Sequence, residues 1–298
     1  MPLGIGFAPG YNPRFPTHPE ARKKLSAAQR NADPLVPVPR NTLRYSLILP
    51  AYNESKNIDK AVGQFAERLR SEEIPFELVV VNDNSTDDTG AVAEALRASY
   101  PEIHLVHNTP PGGLGRAIRF GLKHATGDAI AIVMADLSDS PEDVVRCYRT
   151  IEEGYDCVFG SRFVKGSRVT QYPPLKLMAN RAVNLLIRML FLTRHNDMTN
   201  AFKVYRRHVI DGIGPLHACH FNITIELSLS ALVCGYRIAT IPISWSGRTW
   251  GSSNLRIRAM GRRYLATMLM IWFQRTLIHD DFLQETAANE GRGGGNRE

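Results

Sequence analysis

Along the first 160 residues the hydrophobic pattern changes period repeatedly, and each change marks an element. YSLILP (45–50) is an apolar run stopped by Pro50. FELVVVN (76–82), IHLVHN (103–108), DAIAIVMAD (128–136) and DCVFGS (156–161) repeat that signature. Runs this short and this apolar predict strands covered on both faces. Between them the spacing becomes helical: Ile58, Val62, Phe65 and Leu69 share one face of a helix over 55–70. AVAEALRASY (91–100), the stretch that GGLG (112–115) leads into, and PEDVVRCYRTIEEG (141–154) predict three more helices. The last opens with proline at a first-turn position, where its missing N–H costs nothing. Strands alternating with helices predict an α/β fold with a mostly parallel central sheet.

Beyond residue 161 the pattern loosens. PLKLMANRAVNLLIRMLFL (174–192) predicts an amphipathic helix with Leu175, Met178, Ala182, Leu185, Leu186 and Met189 on one face. A strand in TNAFKVYR, a helix around 223–234 and a strand around 236–243 follow. A basic helix over about 257–278 comes last. Basic amphipathic helices either lie in a membrane interface or pack on a sheet, and the sequence leaves both readings open. The most apolar stretch, YLATMLMIWF (264–273), is flanked by Arg262, Arg263 and Arg275 and falls short of the roughly 20 residues a bilayer span needs. The boundaries predicted are a proline-rich arm over 1–42, an α/β domain over 43–256, the basic helix over 257–280 and a disordered tail over 281–298. No basic-then-apolar leader opens the chain.

Three predicted strands end in polar clusters: AYNES, NDNSTDD and ADLSDS. Ligands of parallel α/β sheets bind outside the carboxyl ends of the strands, so the convergence points to one site. Asp136 at the end of its strand suits a hard divalent cation such as Mg²⁺ or Mn²⁺, which takes one or two carboxylates and completes its shell with phosphate oxygens and water. Asp83 is placed to reach a nucleotide base or ribose. Asp87, Asp88 and Ser85 suit a helix cap. GGLGRA lacks the G-x-G-x-x-G pattern, and no P-loop or Ser-His-Asp arrangement is present. His217, Cys219 and His220 have no second ligand pair to make a zinc site.

Charge divides the chain. Residues 41–160 carry 11 Lys or Arg against 19 Asp or Glu, whereas residues 161–280 carry 17 against 4. An acidic half suits a cation, and a basic half suits phosphates, an anionic membrane face or nucleic acid. The arginines sit in amphipathic helices without the aromatic platforms of single-strand binders, so nucleic acid is not expected. Cys147, Cys157, Cys219 and Cys234 form no CxxC pair, which suits free thiols in a reducing compartment.

LPAYNES, VVVNDNSTDDT, GLGRAIRFGLKHATGD, VMADLSDSPED, GSRFVKGS, DMTNAFKVYRR and WSGRTWGSSNL occur in that order over roughly residues 43–258. The ordered set resembles glycosyltransferase family 2 enzymes of the dolichyl-phosphate mannose synthase type. The resemblance implies a GT-A (Rossmann-like) nucleotide-sugar-binding fold and inverting transfer of a hexose, mannose or glucose, from a GDP- or UDP-sugar to a polyprenyl phosphate. It implies a protein peripheral on the cytoplasmic membrane face, and it leaves room for a membrane partner subunit. By resemblance Pro50, Tyr52 and Glu54 match the donor-base pocket, and Val81 and Asp83 the base and ribose contacts. Met134, Ala135 and Asp136 stand in the family's Asp-Ala-Asp metal motif, with Ser138 at a further metal-shell position. Arg162, Arg181 and Arg248 match residues that hold phosphates, and Asn254 stands where the family often has lysine. Met134 removes one metal carboxylate, and Asp139 is a candidate replacement.

Two rival functions remain at this level. A soluble or glycan hydroxyl acceptor would need a general base, for which Asp197 and Glu226 are the candidates in the basic half. A protein degenerate at Met134 would bind a nucleotide sugar without turning it over.

Overall fold

The computed structural model describes residues 34–247 and 257–278. Its frame is a seven-stranded sheet: β1 (Tyr45–Ala51), β2 (Phe76–Asn82), β3 (Ile103–His107), β4 (Ala129–Ile132), β5 (Cys157–Ser161), β7 (Lys203–Arg206) and β8 (Ile238–Pro242). The spatial order is β3-β2-β1-β4-β7-β5-β8. β1 pairs in parallel with β2 and β4, β2 with β3, and β5 with β8. β7 alone runs antiparallel, between β4 and β5. A separate two-stranded ribbon joins β6 (Arg168–Thr170) to β9 (Ser244–Ser246).

Helices cover both faces, which explains the continuous apolar runs. Against one face lie α1 (Ile58–Ser71), α2 (Thr89–Leu96) and α4 (Pro141–Glu152), with Phe65, Leu69, Val144 and Tyr148 in the core they share with β1. Against the other lie α3 (Leu114–His124), α7 (Ile223–Val233) and α8 (Ile257–Phe273), with parts of α5 (Pro174–Phe191) and the short α6 (Arg207–Gly212). The π-helical turn Gln274–Ile278 continues α8.

Several expectations change. The β4 strand stops at Ile132, four residues early; Val133 N–H still donates to Ile48 O (3.0 Å), and the chain then passes through Leu137, whose φ of 62° lies in the left-handed region. The face of α5 named from its periodicity points outward: Leu175 is 70% and Met178 69% exposed, while Asn184, Ile187 and Phe191 are buried. Apolar spacing identifies a stripe but not the side on which the core lies. Residues 34–42, assigned to a loose arm, are tied to α4 by Val38 N–H donating to Glu152 O (2.8 Å) and Asn41 N–H donating to Glu152 Oε1 (2.5 Å). The rest of the arm, 1–33, and the tail lie outside the described residues.

At the opposite end of the sheet from the site, Glu77 is a buried clasp. Its carboxylate accepts Ser46 Oγ (2.5 Å), Thr126 N (2.6 Å), Thr126 Oγ1 (2.9 Å) and Arg44 Nη2 (3.2 Å). Burial opposes its charge, but these donors together hold its pKa below the usual glutamate value. A depressed folded pKa adds stability that is present above the unfolded value and lost as pH falls through the folded one. Glu77→Ala is therefore expected to lower unfolding stability by about 3 kcal/mol near pH 7, with a smaller loss at acid pH, read by denaturant titration at both pH values.

Candidate active site

The sheet order reverses between β1 and β4, the position at which doubly wound folds open a crevice. Three strand ends meet there. After β1, Glu54 is buried, and its backbone N–H donates to Thr89 Oγ1 (2.8 Å) while its carboxylate accepts Asn57 Nδ2 (2.7 Å). Tyr52 stays exposed on the rim. After β2, Asp87 accepts the N–H and hydroxyl of Thr89 and the N–H of Ser55 (3.2 Å), which binds the start of α2 to the β1 loop. The cap expected here comes from Asp87, while Asp88 makes no side-chain cap bond and Ser85 Oγ accepts Asn53 N–H (3.1 Å).

Asp83 closes β2 with its carboxylate already engaged. Oδ2 accepts Gly113 N (2.7 Å), and Oδ1 accepts Asn108 Nδ2 (2.7 Å). It thereby gathers the β3–α3 loop over the crevice. The glycines of GGLG serve this close packing: Gly113 has φ 141°, and a Cβ there would lie 2.5 Å from Cys219 O. Gly115 N–H donates to that same carbonyl (3.1 Å).

After β4 comes the acidic turn. Asp136 is 5% exposed, and its Oδ1 accepts Ser138 N–H (3.1 Å). The Met134 N–H donates to Asp139 Oδ2 (2.9 Å), so Asp139 folds back beneath the motif. Burial, with the charge of Asp136 adding to it, pushes the Asp139 carboxyl up to about 7 against the pull of the Met134 N–H. Among the described residues no cluster of three or more His, Cys, Asp or Glu is arranged to hold a metal ion. Asp136 and Ser138 still offer the oxygen donors a hard cation prefers, and Met134 offers only a thioether. The donor set fits a cation that draws most of its ligands from substrate phosphates and water.

Pro50, Val81 and Ala135 are buried among core residues, so these motif positions shape the strand ends from within. Arg248 and Asn254 lie outside the described residues.

Beside the acidic turn stands Arg162, at the end of β5. Its Nε and Nη2 donate to Asp197 Oδ2 (2.8 Å) and Oδ1 (2.7 Å), and its backbone N–H donates to Oδ2 (3.0 Å). Burial works against the guanidinium, but the charge and hydrogen bonds of Asp197 raise its pKa above the ordinary arginine value. The rings of Phe163, Tyr172 and Trp245 lie 5.4, 5.4 and 5.8 Å from Arg162 Cζ. Trp245 on β9 also forms an antiparallel bridge with Asp139, and Ser246 N–H donates to Ser138 O (3.2 Å). The arginine box and the acidic turn are thus joined through β9. Arg181 is exposed on α5, 4.8 Å above the Phe163 ring.

Sequence reasoning named Arg162 without its partner and Asp197 without its role. Neither candidate base is free: Asp197 holds Arg162, and Glu226 accepts His217 N and Ala218 N (both 2.8 Å). Tyr172, Asn180, Asn184, Thr199, Lys203 and Trp245, which surround Arg162 and its partner, were also missed, because the chain brings them from four separate segments.

Residues 46–214 match the family described as Glycosyl transferase family 2. Polyprenol monophosphomannose synthase of Mycolicibacterium smegmatis is 31% identical over 222 residues, covering 72% of this chain and 82% of that one. Dolichol-phosphate mannosyltransferase of Pyrococcus furiosus is 28% identical over 216 residues, covering 72% of this chain and 60% of that one. Glucosyl-3-phosphoglycerate synthase from Mycobacterium tuberculosis, solved with Mn²⁺, UDP-glucose and phosphoglyceric acid, superposes with a TM-score of 0.61 at 20% identity, over 78% of this chain and 80% of that one.

Lys203 on β7 is buried below this site, with Nζ donating to Met198 O (2.8 Å) and to Asn200 O. Burial lowers its pKa to about 7, with Asp197 opposing the shift. Between pH 7 and about 10 the unfolded chain holds the proton that folded Lys203 has released, so stability rises with pH in that window. Lys203→Met is expected to remove this rise, read as the difference between the two proteins' unfolding free energies at pH 7 and pH 9.5.

Proposed function

The chain belongs to glycosyl transferase family 2, a glycosyltransferase of GT-A fold, and from that premise we propose that it moves a hexose from a nucleotide-diphosphate sugar to a polyprenyl phosphate. The observation that carries this reading is the junction of two chemistries: an acidic turn at Asp136–Asp139 is bridged through Trp245 to a buried, preorganised arginine. A donor diphosphate beside a cation needs the first, and an acceptor phosphate needs the second. Mannose from GDP-mannose is the first donor to test, because both curated relatives above carry mannose in their names.

In the proposed reaction an acceptor phosphate oxygen attacks C1 of the sugar while the bond to the donor diphosphate breaks, with inversion at C1. A Mg²⁺ or Mn²⁺ ion at Asp136 and Ser138 would supply charge stabilisation to the departing diphosphate. Arg162 and Arg181 orient the acceptor phosphate, and positioning of this kind is worth several kcal/mol, on the order of 7 or more in favourable cases. Arginine suits the role because its planar fork matches phosphate geometry. A phosphate monoester is already ionised at pH 7, so no side chain has to remove a proton. A hydroxyl acceptor would require one, and Asp197 and Glu226 are both committed to other partners.

The outer face of α5 supports a seat at the membrane surface. Leu175, Met178, Leu185 and Met189 are exposed there, with Leu192 just past its end, and Leu265, Leu269 and Phe273 are exposed on α8, which packs against α5. Lys176, Arg188, Arg262 and Arg263 provide the charge that anionic lipid headgroups attract. Among the described residues no helix is long and apolar enough to cross a membrane. The seat we propose is interfacial, and the resemblance to the family implies the cytoplasmic face.

The primary test incubates the purified protein with GDP-mannose, UDP-glucose or related donors and a short polyprenyl phosphate, with and without Mn²⁺ or Mg²⁺. Metal-dependent lipid-linked sugar from one donor is expected, whereas donor binding without transfer would sink the reading. Asp136→Ala should reduce that transfer by about 1000-fold or more, while Met134→Asp should tighten Mn²⁺ binding measured by calorimetry on the protein alone. For the membrane seat, Leu185→Asp with Met189→Asp is expected to cut co-sedimentation with anionic vesicles by about tenfold while donor affinity stays unchanged. Undiminished co-sedimentation would place the lipid surface elsewhere.

A further inference from the structure

Arg162 is more constrained than a phosphate-binding arginine needs to be if charge were its only contribution. Five N–H bonds leave a guanidinium. Asp197 takes the one on Nε and one on Nη2. The closest partner of Nη1 is Tyr172 Oη at 3.4 Å, and that hydroxyl already accepts Asn180 Nδ2 at 2.6 Å. The fork is therefore held by a carboxylate on one edge and only by this long contact on the other. Three aromatic rings around Cζ leave the guanidinium plane little room to turn.

Asp197 is itself held from three directions. Asn184 on α5 accepts Met198 N–H (2.7 Å) and donates to Thr199 Oγ1 (3.0 Å), whose hydroxyl bridges to Asn180 Oδ1 (2.8 Å). Asn196 Nδ2 donates to Phe163 O (3.0 Å), and Asn200 Nδ2 donates to Gly160 O (2.9 Å). Lys203 holds the carbonyls of Met198 and Asn200 from below. Every residue from Asn196 to Asn200 thus makes a bond that fixes the loop or the arginine it serves. Shells of this kind keep a functional group in one geometry.

We propose that Asp197 is a positioning residue for transfer: it clamps Arg162 so that the Nη1 edge faces the acceptor phosphate. This inference rests on the polyprenyl-phosphate reading above. It assigns Asp197 a role different from a base, since both carboxylate oxygens are spent on Arg162 and the side chain is buried. It also predicts which kinetic constant responds. Paired with Asp197, Arg162 brings direction more than net charge. Removing the carboxylate leaves the cation unanswered, and acceptor binding then stays as tight or tightens while its alignment with C1 is lost.

The test compares wild type, Asp197→Asn and Asp197→Glu in transfer from the active donor to a short polyprenyl phosphate, with nucleoside diphosphate affinity measured in parallel. The expected result is that kcat falls about 100-fold in Asp197→Asn, with acceptor KM unchanged or lower and nucleotide affinity unchanged. Asp197→Glu restores the charge but displaces the fork by one methylene, and kcat is expected to stay well below wild type. Asp197→Asn with kcat within threefold of wild type would overturn the inference, as would a raised acceptor KM at unchanged kcat. Full recovery in Asp197→Glu would show that charge suffices and would also overturn it. If both variants lose nucleotide affinity along with transfer, Asp197 belongs to the fold alone. Wild type that forms no lipid-linked sugar would overturn the reading itself, whereas wild-type transfer beside an active Asp197→Asn removes only the positioning role.

Discussion

A guanidinium as buried as that of Arg162 must be answered by a carboxylate, and much of the site is arranged around that requirement. Removing one partner of a buried pair leaves an uncompensated charge, which is far costlier than the pair is favourable. The structure meets the demand with Asp197 and then fixes Asp197 with the 196–200 loop. The same arginine is boxed by Trp245, whose backbone bridges Asp139. Asp143 extends the connection, since its carboxylate accepts Ser244 N–H (2.5 Å) and pairs with Arg146 on α4. β5, β9, α4, α5 and the acidic turn are therefore registered against one another through a few polar contacts, where apolar packing alone would allow slippage.

The division of charge along the chain reads differently once structural use is counted. The acidic half holds many more carboxylates than a cation site needs, and most are employed in building the fold. Glu77 clasps the far end of the sheet, Asp83 draws the glycine-rich loop over the crevice, Asp87 joins the β1 loop to α2, and Glu152 receives the segment before β1. Asp136 stands where β4 opens into the crevice, its Oδ1 accepting Ser138 N–H. A charge count therefore suggests a class of ligand, and only the placement of each group identifies which side chain meets it.

Much of the frame was legible in the sequence because strands buried on both faces must be apolar throughout. The runs at 45–50, 76–82 and 156–161 match β1, β2 and β5 within a residue or two, and their polar ends mark the crevice. The direction of β7 was not legible, since an antiparallel strand inside a parallel sheet has the same composition as its neighbours. Nor was the early end of β4 at Ile132, inside an apolar run that continues to Ala135. Pro50, Val81 and Ala135 stood out as motif positions, and the structure adds that their side chains are buried. The partnership of Arg162 with Asp197 spans 35 positions of sequence and comes from tertiary packing, so only the structure could pair them.

The helix α5 combines the two requirements that a lipid-linked acceptor would impose. Its inward face carries Asn180 and Asn184, polar groups that soluble helices usually present to water, and both are consumed by the network behind Asp197. Its outward face carries the leucines and methionines that soluble helices usually bury. An exposed apolar face of this kind is costly for a helix facing water and favourable for one facing lipid. Arg275 Nη1 donates to Phe191 O (3.1 Å), tying the end of α5 to the π-helical turn after α8. On the proposed reading, a membrane bound to the outer face would bring a lipid-borne phosphate to the helix whose inner face sets the angle of Arg162. Docking and alignment would then share one rigid body, which accounts for the unusual distribution of polar and apolar residues along α5.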